Sequence, residues 1–257
     1  GVTAIKDYAA VTTGSHPEYH TSQTLDALTA YRDSGGSFLY LGGNGFYWRI
    51  VRHREDTDLL EIRRAEDGLR AWASEPGEYY NAFDGNYGGL WRRNGRPPQQ
   101  LVGIGFTAQG IFVGMPYNRV CHDPEFDWVF DGIEGDILGD FGFSGNGAAG
   151  FELDRIDPAH SDGLNLAEGS SITVLAQSYD TDNNFMLVPE EQLTHLTNLS
   201  GGPEWQAKRA DMVYFITEGG GQVFSVGSIT FCGSLPYNNF DNNISRLLSN
   251  VLSRLIG

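Results

Sequence analysis

The sequence predicts an α/β fold built on a mostly parallel sheet, and three observations indicate it. An apolar run at residues 8–12 leads into a polar loop at residues 14–19 (Gly-Ser-His-Pro-Glu-Tyr). An amphipathic helix follows, and then a second apolar run at residues 37–41. Such a strand–loop–helix–strand unit is typical of neighbouring parallel strands. Polar loops follow both runs, and ligands bind at this carboxyl edge of open parallel sheets.

The first helix has clear start and stop signals. Thr21 can cap its N-terminus, and Leu25, Leu28 and Tyr31 recur at helical spacing. Residues 34–36 (Ser-Gly-Gly) then stop the helix before the second strand.

The middle of the chain, roughly residues 52–160, has short strand-like runs separated by glycines and little helical periodicity. Examples are residues 59–63, 100–106 and 150–154. We interpret this segment as a β-rich insertion within one domain of residues 1–257. Loops and hairpins covering the sheet would produce the same pattern.

The last third of the chain is more regular. It has strand-like runs at residues 172–176, 185–188, 211–216 and 222–226, and the glycines at 219–221 predict a hairpin between the last two. A final helix follows possible caps at residues 241–243, and we expect it to pack on the sheet. Its apolar stripe consists of Ile244, Leu247, Leu248, Val251, Leu252 and Leu255.

Composition excludes several classes of protein. The 257 residues are 40% hydrophobic, which is ample for a core, and no stretch is long or apolar enough to span a membrane. The net charge of −16 disfavours nucleic acid and anionic membranes as partners, although halophily or solubility also explains it. Because the chain begins without methionine, almost inside a strand, we expect it to be a piece of a longer polypeptide.

Two cysteines, Cys121 and Cys232, lie far apart in apolar or aromatic surroundings. A disulfide would be one interpretation. We expect instead two buried free thiols in a reducing compartment, the cytoplasm.

His16 and Glu18 are the first candidate site residues. On a loop that follows a strand, they can act as a metal ligand or an acid–base pair. The alternative is structural: Glu18 favours the start of the coming helix, and His16 makes ordinary loop hydrogen bonds.

Asn44 and Glu152 are the other candidates. Asn44 lies among glycines at a turn where hydrolytic α/β folds place Ser or Cys, so it can orient a carbonyl or a water but cannot form a covalent intermediate. A turn asparagine is the alternative. Glu152 follows the small residues 144–150 and can act as a general base, or it can face solvent beside Arg155.

Other motifs are weaker. Residues 122–125 (His-Asp-Pro-Glu) are expected to be a loop, and residues 180–184 (Asp-Thr-Asp-Asn-Asn) a turn, because the glycine and distal glutamate of a calcium loop are absent.

Four segments together resemble the C-terminal region of the large (beta) subunit of N,N-dimethylformamidases. They are residues 14–19, 40–48, 88–92 and 98–106, and the resemblance extends over essentially the whole chain. It implies a class I glutamine amidotransferase-like, flavodoxin-like domain that has lost the glutaminase cysteine.

The resemblance also implies a cofactor, partners and roles for site residues. In that family a mononuclear Fe³⁺ is held by two tyrosines and a glutamate. Glu18 matches the glutamate, His16 the nearby histidine, Asn44 a substrate-binding group and Glu152 the general base. The tyrosines would lie upstream of Gly1, and a small partner subunit and homo-oligomerisation are expected.

Oxygen donors of this kind favour Fe³⁺, which acts as a Lewis acid on water and amide carbonyls. The resemblance thus predicts hydrolysis of N,N-dimethylformamide, or a similar small amide, to formate and dimethylamine. Phe46, Tyr47 and Trp48 are candidates for an aromatic pocket wall. The alternative function is a non-catalytic amidotransferase-like module for assembly or small-molecule binding.

Overall fold

The computed structural model describes residues 1–64, 75, 77–142, 147–190 and 203–257. The strands in chain order are β1 (Ala10–Thr12), β2 (Tyr19–His20), β3 (Ser37–Tyr40), β4 (Trp48–Arg52), β5 (Leu60–Ile62), β6 (Gly105–Gly110), β7 (Tyr117–Arg119), β8 (Ile137–Leu138), β9 (Glu152–Arg155), β10 (Thr173–Tyr179), β11 (Phe185–Leu187), β12 (Arg209–Ile216) and β13 (Gln222–Ser225). The α-helices are α1 (Ser22–Asp33), α2 (Gln99–Val102), α3 (Glu204–Ala207), α4 (Phe231–Ser234) and α5 (Asn243–Ile256). Short 3-10 helices cover Val2–Ala4, Pro124–Phe130, Pro158–His160 and Tyr237–Phe240.

The main sheet is mixed, with the strand order β1-β3-β13-β12-β10-β7-β8. β3 pairs in parallel with β1 and β13, whereas the other four neighbouring pairs are antiparallel. The predicted mostly parallel, flavodoxin-like α/β fold is therefore wrong, and the domain is β-rich. Parallel neighbours need a long crossover, and within the described ranges α1 is the one long helix that lies between two strands of this sheet. Apolar runs located the strands but carried no information about their partners.

Two smaller sheets flank the site described below. One is antiparallel, in the order β11-β6-β9, and the other has the order β2-β4-β5. The middle segment supplies strands to all three sheets, since β7 and β8 extend the main one. The predicted strand-like run at 100–106 divides into α2 and the start of β6, because Gly103 ends the helix in the left-handed region (φ 82°).

Side chains of the central strands alternate between two apolar cores, one on each face of the main sheet. Leu39 and Phe224 point to the core that contains α5, whereas Phe38 and Val223 point to the core that contains Leu25 of α1. This period of two is what a sheet buried on both faces requires.

The two long helices are confirmed. Thr21 caps α1 by accepting a hydrogen bond from Thr24 N, and Asn242 caps α5 by accepting one from Ser245 N. α5 packs on the main sheet through its predicted stripe, and each buried leucine or isoleucine contributes about 1.5–3 kcal/mol. Its buried members are Ile244, Leu247, Leu248, Val251 and Leu255.

Both cysteines are free thiols and are half-buried. Cys232 Sγ lies 3.2 Å from the Leu41 carbonyl oxygen, to which it donates a hydrogen bond. Across the ranges that the structure describes, none of the helices has the length and apolar character needed to cross a membrane.

Asp157 is the centre of a buried charged cluster after β9. Its side chain is 4% exposed and lies 3.2 Å from His160 Nδ1 and 3.4 Å from Arg155 Nη2, while Ala159 N donates to its other oxygen. Burial acts to raise the pKa of Asp157, but these neighbours outweigh it and lower the pKa from 3.8 to about 2.

We expect Asp157→Asn to destabilise the fold by about 2 kcal/mol at pH 7, because the ionised carboxylate is favoured in the folded state. A carboxyl group whose pKa is lower in the folded state stabilises the fold at pH values above its unfolded pKa. This stabilisation is lost as the pH falls towards 2. The difference between variant and wild type should therefore shrink between pH 4 and pH 2 in urea unfolding followed by tryptophan fluorescence. Asp140→Asn, at an exposed position, is the control, and an equal pH dependence in both variants would contradict the assignment.

Candidate active site

The loops that follow the parallel strands β1 and β3 are hydrogen-bonded to each other. Gly43 N donates to Ser15 O (3.2 Å) and Phe46 N to Pro17 O (2.8 Å). The carbonyl oxygen of Glu18 accepts from the next two amides after Phe46, at 3.0 Å each. Residues 14–19 are thereby fixed against the turn after β3.

Glycines make this close approach possible. A Cβ on Gly42 would lie 2.3 Å from Ser15 O, and one on Gly43 would lie 2.7 Å from Glu152 O. Both contacts are with backbone, so no side chain can be accommodated without moving a strand or loop. Asn44 follows in the left-handed region (φ 49°), as does Phe151 (φ 64°) just before Glu152. Such conformations cost free energy for residues other than glycine and cluster at functional sites.

The structure brings His16, Glu18, Asn44 and Glu152 together, although they come from three segments of the chain. Asn44 Nδ2 donates to Glu18 Oε1 (3.2 Å) and lies 3.4 Å from His16 Nε2. His16 Nε2 lies 3.4 Å from Glu18 Oε2 and 3.1 Å from Glu152 Oε2. The first three residues lie at the carboxyl edge of β1 and β3, and Glu152 begins β9.

Glu18 and Glu152 do not have the purely structural roles that were the alternatives to a site, namely capping of α1 by Glu18 and a solvent-facing Glu152 beside Arg155. Thr21, rather than Glu18, caps α1. The Glu152 side chain is only 12% exposed and faces His16, while Arg155 Nη2 is directed to Asp157.

Two oxygen atoms in this cluster have no hydrogen-bond donor within the described part of the chain. They are Asn44 Oδ1 and Glu152 Oε2, and both are inaccessible to solvent. Although His16 Nε2 is close to Glu152 Oε2, their geometry is that of an ion pair rather than an aligned hydrogen bond. Buried acceptors without donors are rare in proteins and indicate a place for a water, a cation or a ligand.

The two carboxylates set the electrostatics of His16. The adjacent Glu152 raises the pKa of the imidazole above its usual value, burial opposes this, and Glu18 adds to the rise. The ring edge remains accessible, with 37% of the side chain exposed.

Sequence reasoning missed Tyr40 and Asp154. Asp154 is fully buried on β9 and accepts from Tyr40 Oη (2.7 Å) and from Asn44 N (2.8 Å). Burial raises the pKa of Asp154 to about 7 against the lowering effect of those two donors. A signal was available, because residues two apart on a strand share a face, and Asp154 follows Glu152 at that spacing.

The predicted aromatic wall is wrong. Phe46, Tyr47 and Trp48 are 1%, 2% and 0% exposed and pack in the core, Phe46 stacking on His20 with ring centroids 4.7 Å apart. The prediction failed because aromatic side chains serve cores as readily as pockets.

Among the weaker motifs, Asp180 is confirmed as part of a turn, since its oxygens accept from Asn184 N and Phe185 N. Residues 144–146 of the small-residue run lie outside the described residues. Within the described ranges, no group of three or more His, Cys, Asp or Glu side chains is arranged to hold a metal ion.

Comparison with known proteins gives the family. A family model described as "N,N-dimethylformamidase beta subunit-like, C-terminal" matches residues 1–243. The chain belongs to this family. The resemblance predicted from the four motif segments is thus confirmed.

Two curated relatives, both named N,N-dimethylformamidase beta subunit, match this family member over its entire length. The one from Paracoccus aminophilus is 38% identical over 262 residues, and the one from Alcaligenes sp. is 37% identical over the same span. In each case the match covers 33% of the relative. The chain therefore spans about a third of the length of these relatives.

Proposed function

We propose that this chain is the C-terminal part of the larger subunit of an iron-dependent amidohydrolase. Its substrate is N,N-dimethylformamide or a similar small N-substituted amide. The convergence of Glu18, His16, Asn44 and Glu152, with two buried oxygens lacking donors, is the observation that carries this proposal. The family and the printed names of the two relatives support the substrate class.

The donor set fits a hard cation. Glu18 is a carboxylate held by Asn44, and the unpartnered oxygens of Asn44 and Glu152 add negative potential beside it. Glu18 would hold the ion, and two tyrosinates from a preceding part of the subunit would complete its ligands. When bound, Fe³⁺ supplies Lewis acidity to water and to an amide carbonyl.

Glu152 acts as the general base in this proposal. Its Oε2 has no donor and faces the cluster, so it can accept a proton from water as the water oxygen bonds to the amide carbon. The C–N bond then breaks and the proton passes to the leaving nitrogen, so dimethylformamide gives dimethylamine and formic acid, which ionises to formate.

Asn44 holds the water in place. Its Nδ2 is directed to Glu18, which fixes the orientation of the amide group and leaves Oδ1 to accept a hydrogen bond. N,N-dimethylformamide has no N–H, so in that reaction the donor to Oδ1 is the attacking water. In an amide that keeps one N–H, the substrate itself can be the donor.

The name beta subunit supports a second kind of subunit in the relatives, and we propose a small partner subunit for this protein too. The rival function is a binding module without catalysis. Iron content and dimethylformamide hydrolysis by the complete enzyme separate the two, because the module would show neither.

We expect the isolated 257-residue chain to bind iron poorly and to hydrolyse no dimethylformamide, because Glu18 alone cannot hold Fe³⁺. Metal analysis and amine release, measured beside the complete enzyme, test this. Stoichiometric Fe³⁺ on the isolated chain would show that its ligands differ from those proposed.

We expect His16→Ala in the complete enzyme to keep its iron and lose about 10- to 100-fold in kcat, because His16 orients Glu18 and Glu152 rather than binding the ion. Loss of iron in His16→Ala would show instead that the imidazole is a ligand.

A further inference from the structure

Three buried hydrogen bonds fasten the turn that carries Asn44. Tyr40 Oη donates to Asp154 Oδ2 (2.7 Å), and Asp154 Oδ1 accepts from Asn44 N (2.8 Å). Gly45 N in turn donates to Tyr40 Oη (2.7 Å). The three bonds close a ring through Tyr40, Asp154, Asn44 and Gly45, which we call the turn clamp.

The direction of each bond in the turn clamp follows from its donors when Asp154 is ionised. Burial raises the pKa of Tyr40 well above its usual value, so the hydroxyl keeps its proton and donates to Asp154. Its lone pair then accepts from Gly45. Asp154 accepts on both oxygens, which is what a carboxylate does and an amide side chain cannot do.

This arrangement lowers the stability of the fold. Asp154 is 0% exposed and, among the residues that the structure describes, forms no ion pair, and a buried carboxylate without such a partner opposes folding. Asn44 is also held in the left-handed region (φ 49°). Groups kept at such cost are expected where they serve a site rather than stability.

The turn clamp also connects the two sides of the proposed site. Glu152 and Asp154 lie two positions apart on β9, so their side chains leave the same face of the strand. Because Asp154 binds the backbone of Asn44, it fixes the distance between β9, which carries Glu152, and the turn that carries Asn44. Gly43 approaches the backbone of Glu152 at the same place.

We propose that Tyr40 and Asp154 are positioning residues that hold Asn44 and Glu152 in register for amide hydrolysis. This inference rests on the proposed function of the site. The pair touches neither substrate nor ion and acts through the backbone of residues 44 and 45 and through β9.

The test uses Tyr40→Phe, Asp154→Asn and the double variant in the complete enzyme. Tyr40→Phe deletes one oxygen, and Asp154→Asn places an N–H against the Tyr40 hydroxyl. The matched control is Tyr31→Phe, which removes the hydroxyl of another buried tyrosine, one on α1 that donates to Tyr8 O (2.8 Å) outside the turn clamp.

We expect each single variant to lower kcat about 10- to 100-fold with KM little changed and iron retained. The double variant should lose little more than either single one, because both break the same ring. Hydrogen exchange at the amides of Asn44 and Gly45 should become faster in both, whereas Tyr31→Phe should change neither exchange at these amides nor kcat.

An unchanged kcat in Tyr40→Phe, while Asn44→Ala is inactive, overturns the positioning role and leaves the proposed function standing. Full activity in Asn44→Ala overturns the proposed use of the site itself. If Asp154→Asn does not fold, Tyr40→Phe and its exchange rates decide the question, and unchanged exchange at Asn44 and Gly45 also counts against the inference.

Discussion

Glu18→Ala in the complete enzyme should lose iron and activity together, the largest effect we expect from any single substitution. Glu18 is the one ferric ligand proposed in this chain, and its carboxylate is oriented by Asn44 Nδ2 at 3.2 Å. Removing it leaves the ion without a hard anionic donor. Metal analysis and visible absorption from tyrosinate–Fe³⁺, measured beside hydrolysis, follow both losses at once.

Glu134→Ala provides the control for Glu18→Ala, because it removes an exposed glutamate elsewhere in the chain. It should keep both iron and rate. Iron retained at wild-type stoichiometry in Glu18→Ala would refute the ligand assignment and, with it, the core of the proposed function.

Glu152→Gln should separate metal binding from catalysis. The amide keeps the shape of the side chain but cannot take a proton from water, so iron should remain while kcat falls by about 10²- to 10⁴-fold. Single-turnover kinetics with dimethylformamide, together with metal analysis of the same sample, measure the two quantities.

A smaller loss, within a few-fold of wild type, would show that another group takes the proton. Loss of iron in Glu152→Gln would instead make Glu152 part of the metal site. Glu152→Asp completes the series. It keeps a carboxylate base but moves it away from His16, whose Nε2 lies 3.1 Å from Glu152 Oε2 in the wild type.

Local sequence signals predicted the elements well but not their arrangement. The cap at Thr21, the stripe of α5 and the hairpin of β12 and β13 all follow from short-range patterns, and the structure confirms them. The position of β13 beside β3 does not follow, because strand pairing depends on residues far apart in sequence. That long-range pairing decides whether a sheet is parallel or mixed.

The loop residues of the candidate site were predictable despite the wrong fold class. β1 and β3 are parallel neighbours, so the loops bearing His16, Glu18 and Asn44 meet at one edge whatever the rest of the sheet does. Glu152 was a candidate from the small residues that precede it, with a solvent-facing glutamate as the alternative, and only the family resemblance placed it in the site, since nothing local placed β9 beside that edge. Asp154 was missed although its spacing of two from Glu152 places both side chains on one face of β9, because the sequence does not show that this face meets Tyr40 and the Asn44 turn.

The place of β13 between β3 and β12 has a consequence for how the domain acquires its site during synthesis. Residues 223–225 pair with residues 38–40, so one neighbour of the strand that leads to Asn44 is supplied nearly 200 positions later. Contacts of such sequence separation form slowly, and a chain emerging from the ribosome cannot make them early. Until β13 is released, the growing polypeptide holds the Asn44 turn without that support. A chain that ends before β13 therefore lacks one of the two strands that flank β3, and the Asn44 turn has its full support only after residues 222–225 have been made.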